Sequence, residues 1–165
     1  MRKCVLFTLV VAFGSMSSAA PVPKHLLKTP ENPDLTAMQG KWKLTDVAFG
    51  GQSLGADFAT KLELSLEFRE NAMVTTGLQH KQRITAMIAL DLSATPRRMT
   101  SSDGKETDLD GKPVENLNVG KKSVAIYKID GDTLAIAGLM GDEANAPKDF
   151  AGKNVVSMTY TRVTK

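Results

Sequence analysis

The stretch "KLELSLEFRE" fits one regular conformation well. Leu62, Leu64, Leu66 and Phe68 alternate with Lys61, Glu63, Ser65, Glu67 and Arg69. A spacing of two sends successive side chains to opposite faces of a strand, one dry and one wet. In a helix the same leucines would scatter around the axis. The pattern recurs down the chain. "RITAMIALDL" alternates through Ile84, Ala86, Ile88, Leu90 and Leu92. "SVAIYKIDGDTLAIAGL" reads as a hairpin with Asp130-Gly131 at its turn, because glycine tolerates positive φ and Asp tolerates it better than most. "NVVSMTYTRVTK" supplies a closing strand, "AMVTTGLQ" and "RRMTSS" weaker ones, and Glu70-Asn71 a short turn. Helical signals amount to single turns at Leu35 to Met38, at Ala56 to Thr60 and in "GDEANAPKDF".

The expected fold class is therefore all-β, an antiparallel up-and-down meander of about seven or eight strands. Such a meander closes most readily into a small barrel, with a two-sheet sandwich as the competing architecture. Consecutive hairpins favour the barrel. Aromatic residues make up only 5 % of the chain, so the core must be mainly aliphatic. The polar stretch from Ser101 to Lys122 reads as an excursion between strands.

The first residues follow other rules. "MRKCVLFTLVVAFGSMSSAA" has a basic start, a short apolar middle and small residues at its end, the form of a secretory signal peptide over residues 1–19. Its apolar run is too short for a permanent membrane span. Pro21, Pro23, Pro30 and Pro33 then make residues 20–37 an extended tether, and the folded domain is expected over 38–165. Export to the periplasm or the exterior follows from this reading. The only cysteine, Cys4, leaves with the leader, which removes disulfides and thiolate chemistry from the mature chain. Losing Arg2 and Lys3 lowers the basic count from 21 to 19 against 18 acidic residues, a net of +1. No strong field remains to attract nucleic acid.

The lone tryptophan lies in "MQGKWKL" at the head of the first strand. Trp42 and Leu44 share one parity, whereas Val47 and Phe49 share the other, so a bulge is required near Thr45-Asp46. In the last strand Val156, Met158, Tyr160 and Arg162 share a face. If Met158 and Tyr160 point inward, Arg162 aims at one end of the interior, where an indole face is a suitable partner. Gly40, Trp42 and Arg162 together resemble the Gly-x-Trp signature and closing basic residue of lipocalins. That resemblance implies a tryptophan plugging the closed end of the barrel with the basic side chain across it. The region from Leu35 to Lys165 is also similar to a family of small secreted lipocalin-like domains expanded in planctomycete bacteria, through "MQGKWKL", "LEFREN", "SATPRR" and "IYKIDGDTLAI". That family has no established biochemical activity. The stretch from Ser101 to Lys122 departs from its pattern.

Chemistry is sparse. His25 lies in the tether and His80 at a strand end, an unpaired set. No serine occupies a Gly-x-Ser-x-Gly elbow, and no phosphate loop or dinucleotide fingerprint occurs. Glu106, Asp108, Asp110 and Gly111 match part of a calcium loop, but Leu117 stands where a bidentate Glu is needed. No catalytic residue, metal site or cofactor is assigned. The interior is the remaining candidate, lined by Leu62, Leu64, Leu66, Phe68, Ile84, Ile88, Leu90, Met158 and Tyr160, with Thr75, Gly77 and Ala86 as small contributors. A hollow interior implies a small apolar ligand. A filled one implies a structural or protein-interaction module of the cell envelope. Neither reading is enzymatic.

Overall fold

Ten elements follow the first helix in a chain of alternating hairpins. The structure, a computed structural model, describes residues 32–79, 81–114, 122–140 and 144–164. The expected signal peptide, the expected tether as far as Glu31, both histidines and the stretch 115–121 lie outside them. Helix α1 is Pro33–Met38, followed by strands β1 (Gly40–Phe49) and β2 (Gln52–Ser53). Helix α2 (Ala56–Leu62) precedes β3 (Leu64–Arg69), β4 (Ala72–Gly77), β5 (Gln82–Asp91) and β6 (Arg98–Asp108). The last three strands are β7 (Ser123–Asp130), β8 (Thr133–Leu139) and β9 (Val155–Arg162).

Each strand from β3 to β9 pairs antiparallel with the next, and β9 pairs back onto β1. The eight strands β1 and β3–β9 thereby close a barrel, with β2 as a two-residue spur on the end of β1. The tight links are the ones that turn chemistry demands. Glu70 takes φ +54° between β3 and β4, and the β7–β8 loop is Gly131-Asp132 with Gly131 at φ +55°. That loop sits one residue later than the sequence suggested, since Asp130 still pairs with Thr133.

Two bulges set the inside and outside of the barrel. In β1 the register against β9 shifts between Leu44 and Asp46, so Trp42 and Leu44 face inward before it and Val47 after it. The parity switch in the sequence required this. A second shift separates Thr85 and Met87 on β5 from Lys105 and Ser102 on β6. It delivers Glu106 to the inner face while Lys105 is exposed.

Three boundaries differ from the sequence expectation. Leu62 ends α2 rather than opening a strand, because Glu63 adopts the left-handed conformation (φ +49°) and breaks the alternation there. Ordered structure begins upstream of Met38, in α1, whose Asp34 is buried against the barrel. Strand β6 also extends through Asp108, well into the stretch expected to be an excursion, and turns back so that Thr107 bridges Pro113. The segment around Ala146 and Phe150 forms no helix. It covers an outer apolar patch of Ile126, Ala137 and Val155.

Candidate binding site within the barrel

The two ends of the barrel are built differently. At the end where α1 enters β1, the interior is filled. Met38, Trp42, Phe68, Tyr127 and Leu134 are all at most 1 % exposed. Trp42 cannot leave its indole N–H unsatisfied there, and it donates to the Met38 carbonyl at 2.7 Å. The Arg162 guanidinium carbon lies 4.1 Å from the centre of the Trp42 ring. Its nitrogens donate to Asp132 Oδ1, to the Gln39 carbonyl and to the Ala37 carbonyl. One side chain thus covers the indole and ties down the end of α1, where cations favourably meet unpaired carbonyls. Gly40 has φ +105°, a conformation L-residues rarely adopt.

A second tether holds the start of α1. Asn32 Oδ1 accepts the N–H groups of Asp34 and Leu35, capping the helix. Asp34 is 6 % exposed. Its carboxylate accepts from Arg97 Nη1 at 2.6 Å and from the Tyr127 hydroxyl at 2.7 Å. Burial, followed by the bond to Asp34, pushes the Tyr127 phenol well above its ordinary range. Nothing local in the sequence marks this trio, whose members lie 63 and 93 residues from Asp34. Arg97 and Tyr127 fall in the stretches "SATPRR" and "IYKIDGDTLAI", neither of which points to Asp34.

Farther from α1 the interior opens into a cavity of about 230 Å³. Leu64, Leu66, Thr75, Met99, Met158 and Tyr160 are among its walls, contributed by β3, β4, β6 and β9. Strands β7 and β8 add Ser123, Ala125 and Ile136. A second hollow of about 370 Å³ shares Ala125, Ile136 and Met158 with it and reaches Met140 past the end of β8. Polar groups inside are few. The Ser101 and Ser123 hydroxyls bond each other at 2.7 Å, and the Tyr160 hydroxyl donates to Met158 Sδ at 3.2 Å. A thioether is a weak acceptor, so that phenol keeps capacity for a better partner. Burial raises its pKa strongly and keeps it neutral.

Of the expected lining, Leu64, Leu66, Met158 and Tyr160 do face the cavity. The others lie elsewhere. Phe68 and Ile88 are buried in the core without lining the cavity, and Leu90 packs against that core. Leu62 packs against the core from α2. Ile84 is 41 % exposed at the rim. Sequence reasoning passed over Met73, Met99, Ser101, Ser123, Ala125 and Ile136, which complete the wall. Of these, Met99 and Ser101 fell in the weak strand "RRMTSS", and Ala125 and Ile136 already showed the right alternation.

A groove of about 360 Å³ lies where β1 and β3 part beyond Lys43 and Ser65, with Ala59 of α2 wedged into the gap. Among the described residues, no cluster of three His, Cys, Asp or Glu side chains forms a metal-binding group. Asp108 instead closes a turn by accepting the Lys112 N–H at 2.7 Å.

A closed eight-stranded antiparallel barrel, sealed at one end and hollow toward the other, is the class that this fold and interior define. No family model matches the chain, and no curated protein sequence matches it. Among solved structures it is similar to a DUF4909 family protein from Staphylococcus aureus. That likeness has 12 % identity and a TM-score of 0.38, and it covers 75 % of this chain and 97 % of the other. At that distance it speaks to neither family nor activity.

Proposed function

We propose that this chain is an exported, non-enzymatic lipocalin-like barrel that holds a small apolar ligand in its hollow half. The observation that carries the reading is the cavity of about 230 Å³ whose walls come from six strands of a closed barrel. Interiors pack to near-crystalline density, so a void of this size among Leu, Met and Ile side chains forfeits dispersion contacts that a ligand restores. Pockets for small molecules have this composition, an apolar wall with a few placed polar groups. The Ser101 and Ser123 hydroxyls engage each other and are two of those polar groups. Phe49, Leu54, Phe58, Leu78 and Met140 are exposed around the same end, an apolar approach for a ligand of low solubility.

Native mass spectrometry of protein purified from its source tests the reading, with a bound small molecule as the expected result. Calorimetry with octanol gives a second test. Wild type is expected to bind it, and Ala125→Trp, which fills the cavity, is expected to abolish binding while the protein stays folded. Octanol affinity unchanged by Ala125→Trp would overturn the reading.

A further inference from the structure

Glu106 is 7 % exposed, and its Oε2 has no hydrogen-bond partner. It is the buried side-chain polar atom among the described residues that is left unmet. A carboxylate removed from water normally acquires an arginine, a lysine or several N–H donors. Arg97 and Arg162 supply such partners at the sealed end, to Asp34 and Asp132. Glu106 lies on the inner face by register. One row across the sheet runs Leu66, Thr75, Ile84, Glu106, and paired residues in an antiparallel sheet share a face. Leu66 and Thr75 of this row line the cavity. The strands of a small barrel are tilted, so such a row climbs as it goes round and reaches the rim where Ile84 is exposed. Two strand spacings separate Thr75 from Glu106, about 10 Å along the wall. Beyond Asp108 the chain folds back, the Val114 N–H donating to the Glu106 carbonyl, which fixes the backbone that presents the side chain.

We propose that Glu106 is the recognition residue for a cationic head group, so that the ligand of this barrel is an amphipathic amine with an apolar tail. The tail occupies the cavity beside Leu66 and Thr75, and the ammonium meets the carboxylate near the rim. The proposal rests on the binding function proposed above and names its ligand class. An ammonium supplies both the charge and the N–H donors that Oε2 lacks, and such pairs are strong when desolvated. A neutral or anionic head group supplies less or repels. Physical chemistry also gives the proposal an unusual signature. Without a counter-charge, an amine loses more hydration than an alcohol on entering an apolar site and binds less tightly. A reversal of that order reports a fixed negative charge within reach.

The test compares octylamine, octanol and octanoate by isothermal titration calorimetry, with the purified protein in an amine-free buffer at neutral pH. Wild type is expected to bind octylamine about tenfold more tightly than octanol, with octanoate weakest. Glu106→Gln is expected to remove the preference for the amine and leave octanol affinity unchanged. Glu106→Met removes the charge with a side chain of similar length and is expected to behave alike. An amine that binds no better than octanol to wild type overturns the proposal, as does a preference that survives both variants. If none of the three probes binds, the binding function falls with it. Octanol binding without amine preference sinks the ligand class alone.

Discussion

Arg162 does three jobs with one side chain, covering Trp42, bonding Asp132 and holding two carbonyls at the end of α1. Arg162→Met therefore loses the ring contact and every one of those bonds, at a cost of about 2 kcal/mol. Arg162→Lys should recover little of it, since a point charge cannot cover the ring and fork to separate acceptors. Thermal denaturation followed by circular dichroism measures both. Trp42→Ala is expected to cost more, about 3–5 kcal/mol, because it empties a fully buried site among well-packed neighbours. An unchanged melting temperature would remove Trp42 from its role as plug. At the Asp34 trio, Tyr127→Phe leaves Arg97 in place and should cost about 1 kcal/mol, whereas Asp34→Ala strands a buried phenol and should cost about 2–3 kcal/mol. At this scale the sequence was readable where parity decided the matter. Trp42 and Arg162 declared their faces through their neighbours. Arg97 and Asp34 did not, because their partnership spans 63 residues and lies outside any periodic run.

Among elements, alternation identified the long strands and misplaced their ends. Leu62 carries the same parity as Leu64 and Leu66, yet Glu63 turns left-handed between them, and Leu62 falls to a helix. The pattern of apolar residues could not reveal this because α2 and β3 share a run of leucines. The bulge in β1 was legible as a change of parity. The bulge opposite Thr85–Met87 was not, since the polar run after Thr100 has no apolar phase to interrupt. That hidden slip is what makes Glu106 an inner residue rather than a loop ligand. Helix α1 has six residues, too few to persist alone in water. Its order rests on the Asn32 cap, the Asp34 trio and the Arg162 clamp. Hydrogen exchange on the Arg162→Met variant should show protection lost at the end of α1 while amides in β7 and β8 keep theirs. Uniform loss throughout the barrel would contradict that division.

For the whole molecule, closure into a barrel was the inference that hairpin order allowed, and the sandwich was the one it displaced. The resemblance at Trp42 and Arg162 implied which end is closed, but whether the other half is hollow was not legible, because volume depends on how six strands face one another rather than on any one of them. The alkaline limit of stability is a property of the whole fold. Tyr127 and Tyr160 are the chain's two tyrosines, and burial raises both phenols far above an ordinary value. The unfolded phenols lose protons near pH 10 while the folded ones still hold theirs. The unfolded state then binds fewer protons, so this contribution is complete below about pH 10 and declines as pH rises beyond it. Tyrosinate absorbance is expected to appear together with loss of β-sheet circular dichroism. Tyrosinate forming at ordinary pH in a protein that keeps its fold would show that the phenols are not sealed.

The pairing of β1 with β9 also imposes an order of events in time. Thr45 Oγ1 donates to the Thr159 carbonyl across a separation of 114 residues. Every other joint in the ring links neighbours along the chain or strands bridged by a short helix, and each can form without waiting for the far end of the chain. This seam cannot. A chain folded only through β8 is a curved open sheet whose two edges await β9. Only the final strand, ending at Arg162, joins them and clamps α1 in the same stroke. Loop-closure entropy makes such distant pairings slow. The protein is therefore expected to spend its youth unsealed, and loss of a few C-terminal residues should be felt at its first helix.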